Sequence, residues 1–141
     1  MSEEFNKTRL RVLIADDDQR LRELMLLLLS DDYDVDVAGS GEEALRLIDT
    51  NPYDAFLCDL SMPQAGAREV HAQLTLTNPD AAQRLVVVSG GAFTDEAEMF
   101  LEQSGCMRVA KPFSPHDVCK AVEAVVARHG CASPCAHSRP R

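Results

Sequence analysis

The sequence predicts an α/β fold: a doubly wound parallel sheet of five strands in the order 2-1-3-4-5, covered by helices on both faces. Three observations predict it. Five short runs with strand character each give way to a stretch whose apolar residues recur at helical spacing, which implies right-handed crossovers between parallel strands. The first and third runs carry stronger apolar signals than the second and fifth, so the latter two are expected at the edges. Carboxylates follow the first and third runs, where a sheet of this order opens its crevice.

The first strand, Leu10-Arg-Val-Leu-Ile-Ala15, runs directly into Asp16, Asp17 and Asp18, and Asp18 is placed to cap the next helix. That helix is expected to turn Leu21, Leu24, Met25 and Leu28 to the sheet. Leu26, Leu27 and Leu29 widen its apolar face, which suits either a deeper core contact or a docking face for a partner helix. Alternation in Asp34-Val-Asp-Val-Ala38 predicts a half-exposed edge strand. Ser40 and Glu43 form a capping box for a helix through Ala44, Leu45 and Ile48, ended by Asn51-Pro52.

The third strand, Ala55 to Cys58, is apolar throughout, as a strand buried on both faces should be, and it stops at Asp59 before a Met62-Pro63 turn. A weaker helix is predicted over Arg68 to Thr77, closed by Asn78-Pro79. Leu85 to Val88 is a second fully buried strand, stopping at Ser89, Gly90 and Gly91. A helix over about Thr94 to Gln103 carries Asp95 and Glu96 in its first turn, which suits the helix dipole, and Gly105 closes it. Met107 to Ala110 is a short last strand ending at Lys111, and the last helix carries Val118, Ala121, Val122, Val125 and Val126 and stops at Gly130.

A chain of 141 residues suits one core of ordinary size, which we place at 9–128 between an N-terminal tail, 1–8, and a disordered tail, 129–141. A net charge of −9 argues against nucleic-acid binding, which needs a basic footprint. The longest uninterrupted leucine-rich run, Leu24 to Leu29, is too short to span a membrane, and the polar start is unlike a secretory signal, so a cytoplasmic address is expected. Five scattered cysteines, an odd number, read as reduced thiols. Cys131, Cys135 and His137 are metal-ligand types, but their spacing matches no zinc module.

Four strand ends therefore deliver polar groups to one rim: Asp16 and Asp17, Asp59, Ser89 and Lys111. A carboxylate at the end of a buried strand is costly unless a cation or donors meet it. Three carboxylates together repel one another, and a hard divalent ion such as Mg²⁺ with oxygen ligands is the usual physical remedy. A lysine ammonium and a serine hydroxyl then suit the oxygens of a phosphoryl group, so the set reads as a phosphoryl-transfer site.

These residues carry a family resemblance. Ile14-Ala-Asp16-Asp17, Asp59-Leu-Ser-Met-Pro63, Val88-Ser89-Gly90 and Lys111-Pro112-Phe113, in this order at strand ends, resemble the receiver domain of two-component response regulators, a flavodoxin-like (βα)5 fold, over roughly Arg9 to Arg128. The phrase Ser89-Gly-Gly-Ala-Phe-Thr94 also resembles receivers at the ends of hybrid histidine kinases.

The resemblance implies that Asp59 is the phosphoacceptor, attacking a phosphohistidine of a histidine kinase or phosphotransfer domain. It implies that Asp17, Asp59 and the Ser61 backbone carbonyl hold Mg²⁺, with Asp16 acting through bound water. It gives Lys111 the neutralising charge and Ser89 the switch hydroxyl, and it implies a cis Lys111-Pro112 bond. The sequence departs from the family at Arg108, where Tyr or Phe often stands, and at Gly66-Ala67 in the turn before the third helix. Gly90 and Gly91 predict a site open to small phosphodonors.

Two other functions compete with this one. A haloacid-dehalogenase-like phosphohydrolase also forms an aspartyl phosphate, but it wants a second Asp two residues on, where Ser61 stands, and a cap insertion. A receiver that never phosphorylates and serves as a docking adaptor is the other. With no room for a DNA-binding output domain, the signal would leave by protein contact, unless the chain is one domain of a longer protein.

Overall fold

A computed structural model describes residues 9–60, 62, 65–90, 94–111 and 114–130. The strands are β1 (Arg11–Ala15), β2 (Asp34–Ala38), β3 (Ala55–Asp59), β4 (Leu85–Gly90) and β5 (Met107–Lys111), all parallel, in the order β2-β1-β3-β4-β5. The expected order and both expected edges are found. The helices are α1 (Gln19–Leu29), α2 (Gly41–Thr50), α3 (Ala67–Thr77), α4 (Pro79–Ala82), α5 (Asp95–Ser104) and α6 (Pro115–Gly130).

Because side chains alternate across a strand, each central strand feeds two cores. Val12, Ile14, Leu57, Val86 and Val88 pack with Met25 and Leu29 of α1 and with Val118, Val122 and Val125 of α6. Leu13, Phe56, Cys58, Leu85 and Val87 pack on the other face with Ala44 and Ile48 of α2, Val70 and Leu74 of α3, and Phe100 and Leu101 of α5. Burial of a side chain such as Leu74 is worth about 2 kcal/mol relative to exposure.

Caps place the helices at the strand ends. Asp18 accepts from the Arg20 and Leu21 N–H groups, Ser40 from Glu43 N–H and Thr94 from Ala97 N–H. The expected capping box differs in one bond: Glu43 reaches back past Ser40 to accept from Gly39 N–H at 2.9 Å. Gly105 ends α5 at φ 70°, a left-handed conformation that favours glycine.

The structure corrects several expectations. On α1 the sheet-facing pair is Met25 and Leu29, whereas Leu24 is 48% exposed, Leu27 is 74% exposed and Leu28 is also exposed. With leucine at nearly every position from 24 to 29, the sequence offers no polar contrast to set the phase of the face. Asn78 does not simply stop α3; its side chain also caps the unexpected α4, with Pro79 at the first position. Strands β3, β4 and β5 run on into Asp59, into Ser89 and Gly90, and into Lys111, because ladder pairing continues to those residues. Helix α6 ends at Gly130, as expected, so 129 and 130, placed in the C-terminal tail, are helical; residues 1–8 and 131–141, with Cys131, Cys135 and His137, lie outside the described residues.

On α3, the His71 ring stands edge-on to Phe100 of α5 at 5.5 Å, and burial lowers its pKa from the ordinary value. The folded state therefore favours the neutral ring. This contribution to stability is fully present above pH 6.5 and is lost as pH falls from there through the lower folded pKa. We expect an NMR titration of His71 to give a midpoint below that of an unfolded peptide, and His71→Asn to flatten the acid-side slope of stability.

Candidate functional site

The carboxyl ends of β1, β3, β4 and β5 meet on one rim. Asp59, the last residue of β3, pairs with Val88, so Ser89 stands one residue further along the neighbouring strand. In turn Ser89 pairs with Ala110, and Gly90 with Lys111. This stepped register sets the Asp59 carboxylate, a buried hydroxyl and a lysine on successive strands. Asp16 is 1% exposed, Asp59 7% and Ser89 5%.

The Lys111 side chain reaches back across the rim. Its Nζ donates to Asp16 Oδ2 at 3.0 Å and to Asp59 Oδ2 at 3.4 Å, so one ammonium bridges the ends of β1 and β3. Burial, the largest single influence, disfavours the charged lysine. The hydrogen bond to Asp16, with the attraction of Asp59 and Asp16, outweighs it and holds the pKa above the ordinary value.

Asp16 is held on every side. Its Oδ1 accepts from Asp18 N–H at 2.9 Å, its own N–H donates to the Ala38 carbonyl at 3.1 Å, and its carbonyl accepts from Arg22 Nη1 at 2.7 Å. Asp17, next in the chain, is exposed. Carboxylate oxygens of Asp16, Asp17 and Asp59 lie within 4.8 Å of one another. One lysine against three carboxylates leaves an excess of negative charge. An all-oxygen set with one exposed member fits a hard divalent cation that keeps part of its water.

The structure thus brings together Asp16, Asp17, Asp59 and Lys111, with Ser89 on the strand beside Asp59. Ser61, Gly91, Pro112 and Phe113 lie outside the described residues, and with them the expected carbonyl ligand and the expected cis bond. Gly90 is exposed and abuts the Lys111 side chain: a Cβ there would lie 3.3 Å from Lys111 Cβ. Arg108, at the aromatic position of the family, is exposed on edge strand β5. Cys58, just before Asp59, is buried, and burial with the nearby carboxylates pushes its thiol pKa up, so it is an inert core residue.

Arg22 is the site neighbour that sequence reasoning missed. A signal was available: Arg20 and Arg22 stand at the start of α1, where cations oppose the helix dipole, directly after the acidic Asp16, Asp17 and Asp18. Local preferences broken in this way point to tertiary partners.

A five-stranded 2-1-3-4-5 sheet with an acidic trio and a bridging lysine at its switch point defines a receiver-type signalling domain. The response regulator receiver domain model matches residues 12–123, and the chain belongs to this family of two-component systems. The transcriptional regulatory protein SrrA of Staphylococcus aureus (strain NCTC 8325 / PS 47) is 30% identical over 118 residues, 83% of this chain and 48% of SrrA. The chain spans about half the length of the curated relatives it matches.

Among solved structures, a CheY-like response regulator receiver domain protein from Methanospirillum hungatei JF-1 superposes with a TM-score of 0.80 at 22% identity. It covers 89% of this chain and 99% of its own, a likeness of fold. The receiver domain of Francisella response regulator 1452 gives 0.74 at 28% identity, covering 86% and 99%. Among the described residues no helix is long and apolar enough to cross a membrane.

Proposed function

We propose that this domain takes a phosphoryl group from a phosphohistidine onto Asp59 and thereby switches a protein-interaction surface. The observation that carries the reading is the Lys111 ammonium bridging Asp16 and Asp59 at the carboxyl ends of β1 and β3. An Asp59 carboxylate oxygen attacks phosphorus, the O–P bond forms as the P–N bond breaks, and the imidazole nitrogen keeps the electron pair. Lys111 neutralises charge on the acceptor and the incoming oxygens, and the Ser89 hydroxyl bonds the transferred group.

Asp16, Asp17, Asp59 and the Ser61 carbonyl would hold Mg²⁺, which when bound supplies positive charge to the phosphoryl oxygens. The donor is a histidine kinase or a histidine phosphotransfer domain, as for the family, and this domain hands the signal on by protein contact in the cytoplasm. The exposed leucines of α1, Leu24, Leu27 and Leu28, offer an apolar face to such a helical donor.

The test is incubation of the protein with acetyl phosphate and Mg²⁺ followed by intact-mass measurement. One phosphoryl adduct per chain is expected, and none when the cation is chelated before the phosphodonor is added. Continuous release of phosphate over many turnovers would instead indicate a phosphohydrolase, and no adduct from any donor a docking adaptor. Lys111→Ala removes the ammonium that bridges Asp16 and Asp59. We expect it to slow adduct formation by about 100-fold, read as the initial labelling rate against wild type.

A further inference from the structure

We infer that Arg22 is a positioning residue for the acidic pair: its guanidinium holds the Asp16–Asp17 peptide and so sets the affinity of the carboxylate trio for a divalent cation. The inference rests on the phosphoacceptor reading of the site.

Arg22 Nη1 donates to the Asp16 carbonyl at 2.7 Å, and the Arg22 N–H bonds the Asp18 carbonyl at 3.0 Å. The backbone bond is the ordinary first bond of the helix, while the half-buried side chain reaches back from α1 to the carbonyl of the Asp16–Asp17 peptide. The Asp16 carboxylate has its own anchors in Lys111 and Asp18 N–H, so losing Arg22 would leave that side chain held. Asp17 is exposed, and its direction follows from the peptide before it, whose carbonyl is the one Arg22 holds.

The seat of the guanidinium is built by a second turn. Gly39, between β2 and α2, lies against it: a Cβ on Gly39 would sit 3.3 Å from Arg22 Nη1 and 3.6 Å from Cζ. Gly39 is itself fixed by its N–H bond to Glu43 Oε1 at 2.9 Å. Residue 39 is not in a left-handed conformation, so the space it leaves for Arg22, rather than backbone strain, is what glycine provides. A cation in the first turn opposes the helix dipole, and its bond to the Asp16 carbonyl gives it a reason to be there.

The two roles Arg22 could have differ in sign. A positive charge beside an acidic pocket repels a bound cation, so if only charge mattered its removal would tighten binding. If Arg22 positions the pair, its removal weakens binding, as loss of a group that orients metal ligands does. The experiment is a Mg²⁺ titration by calorimetry on the full chain for wild type, Arg22→Ala and Gly39→Ala, with circular dichroism before Mg²⁺ is added.

We expect Arg22→Ala to weaken Mg²⁺ affinity about tenfold, and Gly39→Ala, which keeps the charge but displaces the guanidinium, to weaken it in the same direction by less. Affinity in Arg22→Ala that is unchanged or tighter, with normal wild-type binding, overturns the inference and leaves the phosphoacceptor reading standing. A wild type that binds no Mg²⁺ overturns both. Should Arg22→Ala fail to fold, Gly39→Ala decides: weaker binding supports the inference and wild-type binding overturns it.

Discussion

Asp59→Asn is expected to abolish the phosphoryl adduct formed with acetyl phosphate and Mg²⁺, leaving intact-mass spectra at background. The amide matches the carboxylate in shape, so the buried end of β3, where Asp59 is 7% exposed, keeps its packing. What it loses is the anionic oxygen that the proposed mechanism needs as nucleophile, since the amide lone pair is delocalised into its carbonyl. It also removes one of three carboxylates within 4.8 Å, and cation affinity should fall with it. The control is Asp54→Asn, the residue just before the same strand, whose labelling should match wild type. An adduct that persists in Asp59→Asn would put the acceptor elsewhere and end the proposed mechanism.

Gly66→Ala is expected to destabilise the domain by about 3 kcal/mol, read from urea unfolding as a lower midpoint with an unchanged slope. Gly66 caps α3 in extended backbone at φ −101°, which any residue adopts, so strain is not the cause. An added Cβ would overlap the carbonyl of Leu60 and come within 3.2 Å of the Met62 nitrogen. Both neighbours are backbone and have nowhere flexible to go. Gly41, the first residue of α2, is pressed in the same way on the Ala65 carbonyl, so Leu60 and Ala65 each have a backbone carbonyl packed against a glycine. Because Leu60 follows Asp59 directly, Gly66→Ala should slow labelling as well. A midpoint within about 0.5 kcal/mol of wild type would show that the loop moves aside.

Much of the fold was legible in residues alone. Continuous apolar runs such as Leu85 to Val88 mark strands buried on both faces, and capping residues such as Asp18 and Ser40 mark helix starts, because both signals depend on nearest neighbours. The phase of α1 was not legible. Met25 and Leu29 face the sheet while Leu24 and Leu28 do not, and only the docking of α1 beside α6 decides between them. Helix α4 was hidden for a related reason: Asn78-Pro79 reads as a stop, yet the same pair starts a turn whose Ala81 and Ala82 find a place in the core.

For the site, the sequence by itself determined which groups arrive at the rim. A strand ends where its apolar run ends, so Asp16, Asp59, Ser89 and Lys111 are marked locally as strand-end residues. Tertiary structure alone decided how they meet. Lys111 is 95 residues from Asp16 and 52 from Asp59, and its bonds to both exist only because parallel pairing through helical crossovers sets the register of β3, β4 and β5. The same holds for Arg22, whose place against Gly39 and the Asp16 carbonyl depends on β1 and β2 lying side by side. Register is a property of paired strands, and no single stretch of chain contains it.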